Sequence, residues 1–216
     1  MSDLLTVNEV FHSIQGEGTR AGLPCAFVRL TGCNLRCDWC DTRHAWYEGT
    51  PMSIQQVLEA VARAPCKRVE LTGGEPLMQS GAAALLAALC DAGYETLLET
   101  NGSMDISPVD GRVVRIVDFK CPSSLMDAHN RWSNVRLLTP TDEVKFVLAD
   151  RGDFEFARQA VVEREILGRC PVIFSPVLNR LPPADLAEWI LDDGRLQDIR
   201  LGLQLHRMIW PDDTGR

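Results

Sequence analysis

The chain has 216 residues, of which 45% are hydrophobic and 24% are charged. These fractions are ordinary for a globular protein, and they exclude a disordered chain, a collagen-like chain and a coiled coil. The longest apolar run, Ala82–Cys90, is about half of the ~18 residues that a membrane span requires. The formal net charge of −8 argues against general nucleic-acid binding. Length predicts one domain, residues 1–216.

Short β-rich runs alternate with amphipathic runs along the chain. Strands are predicted at Cys25–Thr31, Arg68–Thr72, Glu95–Thr100, Val113–Phe119, Val144–Leu148, Pro171–Ser175 and Ile199–Gln204. Helices are predicted at Ser53–Ala64, with Ser53 as the N-cap, and at Gly81–Ala92, Phe154–Leu167 and Ala184–Leu191. This alternation predicts an α/β fold with a mainly parallel sheet. Because a closed eightfold barrel takes ~250 residues, an open, partial (β/α) barrel of about six parallel strands fits the length better. A doubly wound open sheet is the alternative architecture.

The unusual residues follow the carboxyl ends of the predicted strands. A cysteine-rich segment follows the first strand, and Thr72-Gly73-Gly74-Glu75-Pro76 follows the second. Later strands end in Glu99–Gly102, Asp118–Lys120 and Ser175–Val177. Barrels and open α/β sheets both place their active sites at this edge. We therefore expect these segments to form one site.

Three of the eight cysteines form a compact C-x3-C-x2-C motif: Cys33, Cys37 and Cys40. Three thiolates in one loop can bind three irons of a four-iron cluster and leave the fourth iron open. Zinc is an alternative, with His44 as the fourth ligand, and a coincidental spacing is a third interpretation. A tight cysteine cluster indicates metal binding in a reducing compartment, and no leader sequence is visible at Met1–Asp3. We therefore expect a cytoplasmic protein.

Two motifs resemble those of radical S-adenosylmethionine (SAM) enzymes. Gly32–Cys40 (GCNLRCDWC) resembles their cluster loop, and Thr72–Pro76 (TGGEP) resembles their glycine-rich motif. One family of that superfamily, 7-carboxy-7-deazaguanine synthase, is similar at Ile14–Gly18 (IQGEG), Arg29, Cys40-Asp41-Thr42, Glu99–Gly102 (ETNG), Gln204–Arg207 and Trp210-Pro211. The resemblance runs over almost the whole chain, from Val7 to Pro211.

This resemblance implies a radical SAM domain and a specific reaction. The family is a carbon–nitrogen lyase that converts 6-carboxy-5,6,7,8-tetrahydropterin to 7-carboxy-7-deazaguanine and releases ammonia, in the biosynthesis of queuosine-type tRNA bases. The implied cofactors are one [4Fe-4S] cluster, SAM and Mg²⁺. The implied partners are an electron donor such as flavodoxin and a second copy of the chain, with neither nucleic acid nor a membrane. The alternative is another radical SAM enzyme, such as a glycyl-radical enzyme activase.

The resemblance also implies the site residues. The cluster ligands are Cys33, Cys37 and Cys40, and Thr42 is the Mg²⁺ ligand, with an N-cap role as its alternative. The substrate-binding residues are Ile14, Gln15, Gly16, Glu17, Arg29, Thr72, His206 and Pro211. We expect Arg29 to bind the substrate carboxylate through its planar fork, and the alternative is a pair with a structural acid. Some members end at the residue matched by Pro211, whereas this chain continues into a tail at 212–216.

The SAM-binding residues follow from the same match. They are Gly73, Gly74, Glu75, Glu99, Asn101, Asp118, Phe119, Lys120, Ser175, Pro176, Val177 and Leu178. Glu75 or a backbone carbonyl is expected to accept a hydrogen bond from the SAM ammonium. Asp118-Phe119-Lys120 replaces a Ser-Pro-Lys segment of some members, so that only Lys120 is kept, and Ser175 stands where some members have glutamine.

Overall fold

The computed structural model of the protein describes residues 4–210. Nine strands form one sheet: β1 (Leu5–Ile14), β2 (Pro24–Leu30), β3 (Thr50–Met52), β4 (Arg68–Gly73), β5 (Glu95–Thr100), β6 (Val114–Phe119), β7 (Glu143–Leu148), β8 (Val172–Pro176) and β9 (Ile199–Leu201). The α-helices are α1 (Ile54–Val61), α2 (Ala82–Asp91), α3 (Arg151–Glu163), α4 (Pro183–Asp192) and α5 (Leu205–Ile209). Short 3-10 turns supply much of the remaining connections.

The sheet has the strand order β3-β1-β2-β4-β5-β6-β7-β8-β9. β2 and the six strands from β4 to β9 pair in parallel, whereas β1 pairs antiparallel with both β2 and β3. Over residues 4–210 the sheet is open, because its edge strands β3 and β9 do not pair with each other. The prediction of an open, mainly parallel sheet is confirmed.

The two faces of the sheet differ in character. Residues on the helix-covered face are apolar and fully buried; they include Val28, Leu71, Leu98, Val117 and Phe146. Their chain neighbours point to the opposite face, because side chains alternate along a strand. That face carries Arg29, Thr72, Glu99, Asp118 and Lys145, so the sheet presents a polar surface on one side and a hydrophobic core on the other.

β1 and β3 are absent from the predicted strands. The pairing of β1 with β2 shifts between Val7 and Glu9, and such a bulge interrupts the alternation by which a strand is recognised. With β1 present, residues 15–23 form a hairpin loop instead of a turn before the first strand. Because β1 is antiparallel to β2, this loop lies at the amino ends of the parallel strands.

The helix predictions are confirmed in place and shifted at their ends. Ser53 caps α1 in a capping box with Gln56. Asp150 accepts a hydrogen bond from the Asp153 amide and starts α3 earlier than predicted. Within the described chain, 3-10 turns replace α-helices between β5 and β7. No helix of residues 4–210 combines the length and the apolar character of a membrane span.

Candidate active site

A cavity of about 720 Å³ lies on the polar face of the sheet. It extends from the β1–β2 loop at the amino ends of the parallel strands to the cysteine loop at their carboxyl ends. Most of the residues predicted for the site line it: Cys33, Cys37, Cys40, Thr42, Ile14, Gln15, Gly16, Glu17, Arg29, Thr72, His206, Gly73, Gly74, Glu99, Asn101, Asp118, Lys120, Val177 and Leu178. Pro211 and the tail 212–216 lie outside the described residues.

Glu75 does not line the cavity, so its carboxylate is not available as the predicted acceptor for the SAM ammonium. Its carboxylate is fully buried and accepts hydrogen bonds from Thr100 Oγ1 at 2.8 Å, the Asn101 amide at 2.7 Å and the Leu77 amide at 3.1 Å. Burial raises its pKa, against these hydrogen bonds. Glu75 therefore fastens the end of β5 to the glycine-rich turn and has no lone pair directed at a ligand.

Three further residues predicted as SAM ligands, Phe119, Ser175 and Pro176, do not line the cavity. Phe119 points to the helix-covered face, where its ring stacks on Trp132 with centroids 4.6 Å apart. It does so because it follows Asp118, which faces the cavity, along the same strand. Ser175 and Pro176 end β8 and are buried outside the cavity lining. At this edge the cavity is instead lined by the next residues, Val177 and Leu178.

The three motif cysteines are free thiols that face the cavity together. Burial raises the pKa of Cys37 to about 11 and also raises that of Cys40, so a bound cation is needed to hold them as thiolates. His44 does not join them, since its Nε2 lies 3.6 Å from Glu9 Oε1. Among the described residues, no three His, Cys, Asp or Glu side chains converge on a single metal-ion position. Three thiols without a fourth ligand fit a [4Fe-4S] cluster with one open iron better than zinc.

The glycine-rich turn packs directly against the cysteine loop. The Glu75 amide donates to Gly32 O at 2.8 Å. A Cβ atom on Gly74 would lie 2.3 Å from Gly32 O and 2.6 Å from Cys33 Cβ, which requires glycine at this position. Asn101 Nδ2 donates to Asn34 Oδ1 at 3.0 Å and so ties the end of β5 to the same loop.

Asp118 and Lys120 form the wall next to the cysteine loop. Lys120 Nζ lies 2.9 Å from Asp118 Oδ2, and 5.6 Å from the centroid of the Trp39 ring. Asp118 Oδ1 is buried and has no hydrogen-bond partner in the described structure. An unsatisfied buried carboxylate oxygen requires a donor. Together with the glycine turn, it fits a ligand that carries hydroxyl or ammonium groups, as SAM does.

Residues 15–20, which we call the floor loop, close the amino end of the cavity. Gln15 Nε2 donates to the Glu70 carboxylate, and Gln15 Oε1 accepts from the Glu17 amide at 3.2 Å. Gly16 O accepts from the Leu205 amide at 3.0 Å. A Cβ atom on Gly16 would lie 2.0 Å from His206 Nδ1, so glycine allows this close approach to α5.

The floor loop is also anchored to β7. Glu143, which is 1% exposed, accepts from the Thr19 amide at 3.0 Å and from Arg20 Nη1 at 2.9 Å. Arg20 Nε also lies 2.6 Å from Glu95 Oε1 on β5. The loop that starts at β1 therefore crosses the polar face of the sheet and reaches β5 and β7.

Lys145 and Glu70 line the cavity and were missed by the sequence analysis. Lys145 Nζ pairs with the carboxylates of Glu17 and Glu99 and lies 3.7 Å from Asp118 Oδ2. Burial opposes its charge, but these carboxylates hold the pKa of Lys145 well above its usual value. The signal for both residues was a charged side chain between two apolar neighbours in a strand, VKF in β7 and VEL in β4.

The pKa values of the acidic groups around Lys145 are shifted in opposite directions. Burial and the neighbouring Glu99 raise the pKa of Glu70 well above its ordinary value. Burial also disfavours the charged form of Glu99, but Lys145 outweighs it and lowers the pKa of Glu99. The cavity thus combines an ionised carboxylate on β5 with a carboxyl group on β4 that favours its protonated form.

Arg29 and Thr42 each had two interpretations. Arg29 Nε lies 2.7 Å from Glu9 Oε1, so a structural acid does occupy one edge of the guanidinium, and the Nη edge has no partner in the described structure. Thr42 precedes the 3-10 turn Arg43–Trp46 but makes no side-chain capping bond. Thr42 thus stands at the N-cap position, but its Oγ1 donates to Asp41 Oδ1 at 2.8 Å instead of capping the turn.

Comparison with known proteins places the chain among radical SAM enzymes. Residues 27–163 match the family described as the Radical SAM superfamily, whose members bind a [4Fe-4S] cluster and SAM. A crystal structure of QueE from Escherichia coli is similar over 94% of this chain and 95% of that chain, with a TM-score of 0.72 and 22% identity. Streptococcus suis SuiB bound to S-adenosylmethionine covers 83% of this chain and 47% of its own, with a TM-score of 0.58 and 13% identity. At these identities the structures show a shared fold.

Curated relatives identify the family. A 7-carboxy-7-deazaguanine synthase from Chlorobaculum tepidum is 47% identical over 98% of this chain and 97% of its own length. The enzymes of that name from Koribacter versatilis and Clostridium acetobutylicum are 41% and 34% identical, each over 97% of this chain. This coverage does not favour a glycyl-radical enzyme activase. With its cysteine loop, glycine-rich turn and floor loop around one cavity, the chain belongs to the 7-carboxy-7-deazaguanine synthase family of radical SAM enzymes.

Proposed function

We propose that this enzyme converts 6-carboxy-5,6,7,8-tetrahydropterin to 7-carboxy-7-deazaguanine and releases ammonia. The observation that carries the proposal is that residues matched to the family's pterin site share one cavity with the three motif thiols. Gln15, Arg29, Thr72 and His206 line that cavity with Cys33, Cys37 and Cys40. The relatives that are similar over nearly the whole chain carry the name of this activity.

In this proposal the carboxyl end of the cavity holds the cluster and SAM, and the pterin lies toward the floor loop. Cys33, Cys37 and Cys40 would hold the cluster, and Gly74, Asn101, Asp118 and Lys120 would hold SAM. When bound at the reduced cluster, SAM would allow a hydrogen atom to be removed from a substrate carbon whose C–H bond is not acidic.

Arg29 offers its Nη edge to the pterin carboxylate, because planar guanidinium binds carboxylate through two parallel hydrogen bonds. Glu99, predicted above as a SAM ligand, is assigned here to the pterin instead, because it shares Lys145 with Glu17 of the floor loop; Lys145 favours its ionised form, which can accept from pterin N–H groups. Thr72 and the floor loop enclose the ring and exclude water from it.

We assign Mg²⁺ to Thr42, which stands beside the Asp41 carboxylate at the cavity wall. A hydroxyl that donates to Asp41 still has lone pairs for a cation, and Mg²⁺ keeps several waters and takes substrate oxygens. Thr42→Ala should therefore weaken the dependence of turnover on Mg²⁺ without loss of the cluster, because water can replace the lost oxygen. Thr42→Ser keeps the oxygen and should be much milder. Coincident Mg²⁺ titrations of turnover for wild type and Thr42→Ala would contradict the assignment.

The remaining assignments concern the protein as a whole. We propose one radical SAM domain over residues 1–216, with 212–216 as a tail, which acts as a homodimer and receives electrons from a donor such as flavodoxin. We also propose a cytoplasmic location. The free state of the eight cysteines supports it, since thiols persist in reducing compartments.

Product analysis under anaerobic conditions tests the proposed function. The protein is reconstituted with iron and sulfide, reduced, and supplied with SAM, Mg²⁺ and 6-carboxytetrahydropterin. We expect a deazaguanine product and ammonia in equal amounts, and neither should form with Cys37→Ala. SAM cleavage without either product would contradict the proposed reaction and leave only the superfamily assignment.

A further inference from the structure

We propose that Lys145 is the positioning residue of the pterin subsite, which fixes the floor loop against β5 and β7. The inference rests on the proposed function, because it takes the pterin as the ligand of this end of the cavity. Lys145 is the cation that joins Glu17 of the floor loop to Glu99 of β5, and its side chain is 5% exposed. None of the residues matched to known family roles supplies this link.

The charge balance around Lys145 shows why the link is needed. Glu17, Glu70, Glu99 and Asp118 all line the same cavity. Without Lys145, the carboxylates of Glu17 and Glu99 would lose the cation that they share, whereas Asp118 would keep Lys120. Like charges at close range repel strongly in a buried site.

The repulsion would act on the element that can move. Glu99 and Asp118 belong to strands of the sheet, whereas Glu17 belongs to a loop outside the strands. Glu17 is held on its other side by Gln204 Nε2 at 2.6 Å, which is a single neutral donor. Loss of the Lys145 charge should therefore displace the part of the floor loop around Glu17 and leave the sheet in place, while Arg20 still holds the far end of the loop on Glu95 and Glu143.

The effect should be confined to one end of the cavity. The SAM residues Gly74, Asn101 and Lys120 lie at the carboxyl ends of β4, β5 and β6, and they are held by contacts that do not involve Lys145. Asp118 is 3.7 Å from Lys145 but only 2.9 Å from Lys120, which keeps it in place. We therefore expect a change in pterin binding without a change in SAM binding.

The experiment compares Lys145→Met with Arg115→Met in the cluster-loaded enzyme. Methionine keeps the length of the lysine side chain and removes its charge. Arg115 is a matched control, because it is also a buried strand cation paired with a carboxylate, Asp142, and it lies outside the cavity lining. For Lys145→Met we expect the KM for carboxytetrahydropterin to rise about tenfold to a hundredfold, as for the loss of a charged hydrogen bond. The Kd of SAM and the iron–sulfur absorbance should match wild type.

The control should separate positioning from general stability. Arg115→Met should lower the melting temperature and leave the KM for the pterin unchanged. Glu17→Gln removes the other half of the pair and gives a second variant with a loop substitution, which is easier for the fold to tolerate. Its effect on KM should not add to that of Lys145→Met in the double variant, because both remove the same interaction. A wild-type KM in either single variant, or additive effects, would overturn the proposal.

Hydrogen exchange tests, without any pterin present, whether Lys145 anchors the floor loop. Amides of the floor loop should exchange faster in Lys145→Met than in wild type, whereas those of β7 should not. If wild type produces no deazaguanine and floor-loop exchange is still faster in Lys145→Met, the proposed function fails and the anchoring role stands. Unchanged exchange in the floor loop would overturn the anchoring role itself.

Discussion

Arg29 is held at one edge by the protein and open at the other. Its Nε donates to Glu9 at 2.7 Å, and its guanidinium lies over the Phe11 ring at 5.5 Å from the centroid. These contacts fix the plane of the guanidinium before any ligand binds. A preoriented fork loses little conformational freedom when it binds a carboxylate.

Arg29→Lys keeps the positive charge and removes the fork. We expect the affinity for the carboxypterin to fall about tenfold to a hundredfold, since a lost charged, bidentate pair is worth ~1.5–3 kcal/mol. Arg115→Lys is the control, because Arg115 also pairs with a carboxylate, that of Asp142, and lies outside the cavity lining. Titration with pterin and with SAM checks the result. Equal losses of both affinities would indicate a folding defect instead.

The raised pKa of Glu70 leads us to expect that the free energy of unfolding depends on pH. Its pKa is raised in the folded protein, so it keeps its proton at pH values where the unfolded chain has lost it. The unfolded state is therefore favoured increasingly as pH rises above the ordinary pKa of glutamate. Glu70→Gln has no proton to lose, so the unfolding midpoint of wild type should fall relative to that of Glu70→Gln as the pH rises above the ordinary pKa of glutamate. The exposed Glu59→Gln is the control, and a gap for Glu70→Gln that stays constant with pH would contradict the assignment.

Residues with local motifs could be predicted, and residues defined by distant contacts could not. The cysteine loop and the glycine-rich turn are contiguous in sequence, and their chemistry is visible there. Lys145 acquires its role from Glu17, which lies 128 residues away in the chain. Glu75 carries the signature of a ligand-binding turn, yet its carboxylate is used by Thr100 and Asn101. A motif identifies the segment, while tertiary contacts decide which of its atoms remain free.

At the scale of elements, the same distinction explains the strands. β5 and β7 are compact apolar runs bounded by polar residues, and their predicted bounds agree with the structure to within one residue. β1 was missed because its bulge breaks the alternating pattern. Its place in the sheet is set by backbone pairing with β2 and by Gln79, which bonds the Thr6 backbone at 2.8 and 3.0 Å. Neither interaction has a local sequence pattern.

The packing of the glycine-rich turn on the cysteine loop predicts a sharp effect of one methyl group. Gly74→Ala places a Cβ within 2.3 Å of the Gly32 backbone, which cannot move aside without shifting the cysteine loop. We expect a stability loss of about 1–3 kcal/mol in urea and poor recovery of iron–sulfur absorbance after reconstitution. Gly111→Ala is the control, since its Cβ would meet no atom within 4 Å. Full cluster recovery in Gly74→Ala would contradict the close packing.

At the scale of the whole molecule, the sheet is open, but the amino end of its cavity is closed by the floor loop. The floor loop begins on the antiparallel side of the sheet and reaches β5 and β7 through Arg20 and its partners Glu95 and Glu143. Arg68 adds a second contact to Glu95 at 2.6 Å. Ionic contacts thus close the amino end of the cavity, whereas strand pairing leaves the sheet itself open.

Because the floor loop closes the amino end of the cavity, we expect both substrates to enter at the carboxyl edge, which also carries the cysteine loop. A pterin seated against the floor loop has to pass the SAM subsite on its way in, and bound SAM would obstruct it. We therefore expect compulsory-order kinetics, with the pterin as the leading substrate and SAM second. Preincubation of the enzyme with an unreactive SAM analogue should slow the association of the pterin, and an unchanged association rate would indicate a second entrance. The direction in which the floor loop crosses the sheet would then set the order in which the pterin and SAM bind in each turnover.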